Sequence, residues 1–151
     1  MNKKKFAVVR ITAAFLVMAL FLSVGSLPEV AATAHPRASD YLDSYNAYIY
    51  PAGGGKIQVW FTVTGTDYQE ALGALTIQVY ESRNNSDWTL VKAYSHNNNP
   101  SMMGYDKIYH SGHVDYQGVA GRYYRAYVSI WGGGMTIGDN RYFYTSSKLA
   151  T

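Results

Sequence analysis

Four histidines, His35, His96, His110 and His113, are the side chains here best suited to metal or proton chemistry. His110 and His113 lie three apart, a spacing that joins two imidazoles on a helix but sends them to opposite faces of a strand. His113 and Asp115 share a strand face. A zinc site normally takes at least three protein ligands, and the third would have to come from His96 or Asp106 in a loop. Surface histidines are the plainer reading, and no metal is expected. There is no G-x-S-x-G, H-E-x-x-H or phosphate-loop pattern. Glu81 and Asp87 flank a turn and read as a solvated hairpin end, whereas a glycosidase pair needs a cleft. The glycine triplets at 53–55 and 132–134 lead into no helix, so they read as turns rather than phosphate cradles. The chain has no cysteine, which excludes thiol catalysis and cysteine metal sites. The residues call for neither an enzyme nor a cofactor.

The pattern that does stand out is aromatic. Residues 118–131 read GVAGRYYRAYVSIW: a glycine turn, then strict alternation. Tyr124, Ala126, Val128 and Ile130 fall on one face; Tyr123, Arg125, Tyr127, Ser129 and Trp131 fall on the other. Such alternation marks a strand with one face in a core, and its length predicts a central position. The outward face, continued by Gln78 and Tyr80 on one neighbour and Tyr142 and Tyr144 on another, is the candidate binding surface. Its members are Tyr80, Tyr123, Arg125, Tyr127, Trp131, Tyr142 and Tyr144. Flat aromatic rings flanked by hydrogen-bonding groups suit the C–H faces of sugars, and Tyr, Trp and Arg dominate protein hot spots. The competing reading is that cross-strand aromatic pairs only stabilise the sheet, by about 0.2–1 kcal/mol each.

The elements that must position this face follow from the same alternation. Residues 44–50 and 56–64 form a hairpin around Pro51 and the first glycine triplet, with Ile57, Val59, Phe61 and Val63 inward and a loop longer than two residues. Residues 67–72 could make one helical turn capped by Thr66, with Gln69 three residues on. Residues 74–82 place Leu75, Ile77 and Val79 inward. Residues 87–94 are ambiguous, with Trp88 and Leu90 opposing Val91 and Ala93. A long polar loop is expected over 95–106, then a weaker strand over 107–116 interrupted by Gly112, the central strand, and a last strand over 141–147. About seven short strands without an amphipathic helix predict an all-β fold: a single antiparallel sandwich of the immunoglobulin-like kind over residues 44–148. A closed barrel is the competing architecture. Tyr124, just after a turn, sits where such folds place a tyrosine whose hydroxyl bonds back to the backbone.

Residues 1–34 predict an export leader. Lys3, Lys4, Lys5 and Arg10 precede an apolar run over 11–24, and both Val30-Ala31-Ala32 and Ala32-Thr33-Ala34 fit a small-x-small cleavage rule. The run is shorter than the roughly 20 residues that span a bilayer, so no stable membrane span is expected after cleavage. Residues 35–43 read as a flexible lead-in. Removing the leader takes four basic residues and Glu29, and the formal charge falls from +3 to zero. That disfavours nucleic acid as a partner. All 15 tyrosines and all three tryptophans lie beyond the leader. The absence of cysteine in an exported domain fits a host that does not oxidise its secreted proteins, such as a Gram-positive bacterium.

The stretches over 38–66, 74–82, 110–131 and 141–151 resemble a family of small secreted Gram-positive proteins known as a domain of unknown function. The block GVAGRYY at 118–124 is the most specific part. The resemblance implies secretion and a β-rich fold and brings no catalytic residues. A fainter similarity to bacteriocins of the lactococcin 972 type runs through Tyr109-His110, His113-Val114, Ala120-Gly121 and Ala126, with different spacing and a longer chain. The expectation is a secreted, non-catalytic binding module for a cell-envelope polysaccharide or surface protein; the alternative is a secreted bacteriocin-like toxin or effector.

Overall fold

The computed structural model describes residues 39–151. The expected leader over 1–34, and residues 35–38 of the expected lead-in, lie outside the described residues. Seven strands form one antiparallel sheet: β1 (Leu42–Gly53), β2 (Lys56–Ser82), β3 (Thr89–Ser95), β4 (Met103–Gln117), β5 (Tyr123–Gly133), β6 (Gly138–Tyr144) and β7 (Lys148–Leu149). The all-β expectation holds; a short 3-10 turn, Pro100–Met102, precedes β4.

β2 is the spine. Its first half pairs with β1 on one edge, as Ala47↔Phe61 and Ile49↔Val59, and with β4 on the other, as Val59↔Val114. Its second half pairs with β5, as Ile77↔Val128 and Val79↔Ala126, and with β3, as Ile77↔Tyr94. β5 in turn carries β6 and the short β7. The sheet curls so that both halves of β2 turn apolar residues into one core. Ile57, Val59, Phe61 and Val63 from the first half meet Ile77 and Val79 from the second, with Tyr124, Ala126, Val128 and Ile130 of β5, all fully buried. Tyr45 of β1 packs on Phe143 of β6 at 5.5 Å, and Tyr116 of β4 meets Tyr124 edge-on at 5.9 Å, so the curl is closed by rings from both sides.

The segments read as a second strand, a helical turn over 67–72 and a third strand are one continuous strand. A lone helical turn has almost no stability of its own. Here the backbone is held extended from both edges, by Gln69↔Lys107 and Ala71↔Tyr105 on β4 and by Ala71↔Gly133 and Leu72↔Gly132 on β5. The bend falls where β4 pairing skips from Thr64 to Gln69. Gly65 permits it, since a Cβ there would stand 2.7 Å from both the Asp67 carbonyl and Gln69 Cγ.

Several local expectations also change. Leu75 lies at a bulge between Ala74 and Thr76, so Ala74 takes the interior position and Leu75 is only half-buried. The first hairpin has a two-residue turn, Gly54-Gly55, closed by Gly53↔Lys56; both turn glycines have positive φ, as the favoured tight hairpin turn requires. The long loop after β3 ends early, because Met102 is fully buried and β4 starts at Met103. Gly112 does not interrupt β4; it lets the Phe61 ring approach, and a Cβ would lie 2.9 Å from Phe61 Cζ. β1 begins at Leu42, which is buried, and Ser39 accepts the Leu42 amide at 2.8 Å while its hydroxyl donates to Asp139, so 39–43 are docked rather than trailing.

The 118–122 turn is fastened through Tyr124. Its hydroxyl accepts the Val119 amide at 2.8 Å and donates to the Glu81 carboxylate at 2.6 Å. Glu81 is therefore engaged rather than part of a solvated hairpin end. Burial, and then the hydrogen bond to Glu81, push the Tyr124 phenol up to about 12. An unfolded tyrosine ionises near pH ~10. The stability this group contributes is complete below that pH and is lost as pH rises through about 12, because the unfolded chain releases its proton first. Tyr124→Phe leaves the Val119 amide without its partner and is expected to cost about 1–3 kcal/mol at neutral pH. Urea unfolding at neutral pH checks the cost. Thermal unfolding from about pH 9 to 12 checks the linkage: the wild-type midpoint should fall more steeply than that of the phenylalanine variant, and parallel curves would contradict the assignment.

Candidate functional site

The outer surface of the second half of β2, with β5 and β6, carries a run of packed aromatic rings around one cation. The expected adjacency of these strands is present: Gln78↔Tyr127 and Tyr80↔Arg125 across β2–β5, Tyr127↔Tyr144 and Ser129↔Tyr142 across β5–β6. Alternation on β5 sends Ala126 and Val128 inward, which leaves Arg125 and Tyr127 facing out. The Tyr127 ring lies 4.9 Å from Tyr144 and is stacked on Tyr142 at 6.3 Å and 19°. Tyr80 tilts against Tyr144 at 6.0 Å. Tyr142 and Tyr144 are 61% and 50% exposed, so the outer rings are open while Tyr80 and Tyr127 beneath are half-buried.

Arg125 lies among these rings. Its guanidinium carbon is 4.4 Å from the Trp88 ring centre, 4.5 Å from Tyr144 and 5.9 Å from Tyr80. Trp88 reaches the site from the loop before β3. That loop is braced by Asn84, whose side-chain oxygen accepts the amides of Ser86 and Asp87 at 3.0 and 2.9 Å. Tyr144 is held by the next residue: Thr145 accepts the Ala126 amide through its hydroxyl at 3.0 Å and donates its own amide to the Ala126 carbonyl at 2.9 Å. Tyr80 donates to the Gln78 side chain at 2.9 Å. Its phenol is pushed above the ordinary range first by burial and then by Tyr144, with Arg125 opposing. The hydroxyl remains a neutral donor at physiological pH.

The structure therefore groups Tyr80, Arg125, Tyr127, Tyr142 and Tyr144. Trp131 is on the same face but at the far end, where it packs over the backbone of Gly138. With Leu75, His96, Met103, Tyr105 and Met135 it lines an apolar cleft of about 290 Å³. Tyr123 is at the opposite end of β5, between Ser82 and Leu149, and makes no ring contact with the cluster among the described residues. Apolar residues on both faces around Trp88 give its ring no preferred side in the sequence, and the cleft has no local pattern because its walls come from loop ends and a bulge.

The opposite surface has a smaller polar arrangement. Asp115 accepts from Gln58 at 2.9 Å, pairs with Lys56 at 3.0 Å and lies 3.9 Å from His113, which stacks on Trp60 at 4.3 Å. The Gln58 bond first, then Lys56, hold the Asp115 carboxyl below its usual range. His113 and Asp115 share a face as expected. His110 is turned elsewhere, its Nε2 3.0 Å from the Ser101 carbonyl, and His96 lines the Trp131 cleft. Among the described residues no group of three or more potential metal ligands is assembled.

No family model matches the chain, and no curated protein matches it. Among solved structures it is similar to a family 76 glycoside hydrolase from a bovine Bacteroides thetaiotaomicron strain, at 15% identity and a TM-score of 0.31. The match covers 73% of this chain and 20% of that one, so the chain spans about a fifth of that structure's length. A likeness this slight carries no argument about activity.

The contact of Arg125 with Trp88 is open to direct measurement. A double-mutant cycle with Trp88→Leu and Arg125→Leu, read by urea unfolding, should give a coupling of about 0.5–2 kcal/mol. A coupling near zero would mean that the two side chains are neighbours without interacting.

Proposed function

We propose that this protein is a secreted, non-catalytic recognition module whose outer β5–β6 face binds cell-envelope polysaccharide. One observation carries the reading: Tyr142 and Tyr144 present open rings, fixed from below by Tyr127, Tyr80 and Arg125. Exposed aromatic rings that are already packed lose little side-chain freedom on binding, which favours them as contact residues. Two residues apart on β6 and backed by Tyr127 on β5, they offer a shelf of neighbouring rings suited to successive sugar rings rather than to one enclosed ligand. Trp131 and its cleft extend the same face. The same reading treats the curled sheet as an immunoglobulin-like sandwich, supported by the single core shared between its halves and by the Tyr124–Val119 bond.

The test is sedimentation with purified Gram-positive cell wall. The double variant Tyr142→Ala/Tyr144→Ala should lose at least about tenfold in affinity, equivalent to about 1.4 kcal/mol. Tyr48→Ala, on the opposite surface, serves as the control and should bind as wild type. Undiminished binding by a folded double variant rejects the shelf.

A second reading, a secreted bacteriocin-like effector, has a separate observation behind it. The β5–β6 turn exposes Met135 and Ile137 at 75% and 68%, and Tyr68, 73% exposed, borders the same surface depression. An apolar hairpin tip is a feature of proteins that touch membranes. Under this reading the protein releases dye from lipid vesicles and Met135→Ser/Ile137→Ser does not; vesicles that stay intact with wild type rule it out.

A further inference from the structure

Arg125 carries a charge that the fold does not answer. A guanidinium is always ionised and presents its N–H donors in its plane as a fork. Two ion pairs form among the described residues, Lys56–Asp115 and Arg141–Asp139, His113 lies 3.9 Å from Asp115, and none of these contacts includes Arg125. Its Nε is buried without a hydrogen-bond partner, the one such side-chain atom among the described residues. The strand positions that alternate outward from Thr76 to Tyr80, from Arg125 to Trp131 and from Asn140 to Tyr144 contain no other charged residue.

The rings around Arg125 stabilise a cation but bring it no anionic partner. Trp88 and Tyr144, at 4.4 and 4.5 Å, pin the guanidinium without supplying an acceptor to its in-plane donors. A planar fork held among rings and left without an anionic partner suits two-point recognition of a carboxylate or phosphate. A purely structural cation would more simply be paired, since a partly buried unpaired charge is costly.

We infer that Arg125 anchors an anionic substituent, a carboxylate or a phosphate, on the polymer that lies across Tyr142 and Tyr144. This rests on the polysaccharide reading above and narrows it to acidic polymers. Two sources share that chemistry, uronic acids and polyol phosphates, and the test separates them.

Binding is measured to immobilised polygalacturonate, to the same polymer after carboxyl reduction, and to polyglycerol phosphate. At least one charged polymer should bind about tenfold or more tightly than the reduced one, with the difference shrinking as salt is raised. Arg125→Gln should bring that ratio close to one, Arg125→Lys should restore part of it, and Lys107→Gln on β4 should leave it as in wild type. Thermal melting establishes that the variants are folded. If Arg125→Gln does not fold, the wild-type ratio and the lysine variant still decide. Equal wild-type binding to charged and reduced polymers overturns the anchor and leaves the shelf standing. So does a charge preference that survives in the glutamine variant. If wild type binds none of the three polymers, the anchor is overturned, and sedimentation with cell wall decides the polysaccharide reading separately.

Discussion

The structure depends on one constraint: β2 stays extended through its bend, so that both of its halves keep their apolar residues on the inside of the curl. Were residues 65–73 to coil or form a helical turn, Ile57–Val63 and Ile77–Val79 would no longer share a core, and β5 would lose the strand beside it. The bend is held by partners on both edges and by a glycine at the closest approach. Nothing covalent supports it, since the chain has no disulfide. Packing therefore carries the closure: Tyr45 with Phe143 joins the first strand to the sixth, and Tyr116 with Tyr124 joins β4 to β5 across the 118–122 turn.

The aromatic face is a consequence of that closure. Because alternate residues of β5 fill the core, those between them must face out, and pairing with β2 and β6 sets Tyr80, Tyr142 and Tyr144 beside them. The outer rings cost the fold little and gain some cross-strand stabilisation. Arg125 differs: it is a charge set among rings with a buried, unpartnered nitrogen, a local conflict of the kind that concentrates at functional sites.

Much of this was legible in the sequence. The two-residue period of Tyr124, Ala126, Val128 and Ile130, and of Ile57 to Val63, specifies the inward faces because a half-buried strand admits no other pattern. The grouping of Tyr80, Arg125, Tyr127, Tyr142 and Tyr144 follows once three strands are set side by side. What the pattern could not specify came from partners distant in the chain. The stretch Thr66 to Leu72 has helix-like local chemistry and is overruled by β4 and β5. The bulge that turns Leu75 outward is a matter of register, and local alternation is blind to it. Trp88 joins the site only because a braced loop carries it over Arg125, and Met102 is buried although its surroundings are polar. Tyr123 has the right parity but lies at the end of its strand.

The account stands most directly on where a ligand touches the sheet. Backbone and side-chain NMR shifts, followed while solubilised cell-wall polysaccharide is added, would locate it without any substitution. The account predicts perturbations confined to the outer positions of β5 and β6 with Tyr80 and Trp88, and a quiet opposite surface at Tyr48, Trp60 and His113. Perturbations centred on Trp60 and His113, or none at saturating polymer, would contradict it.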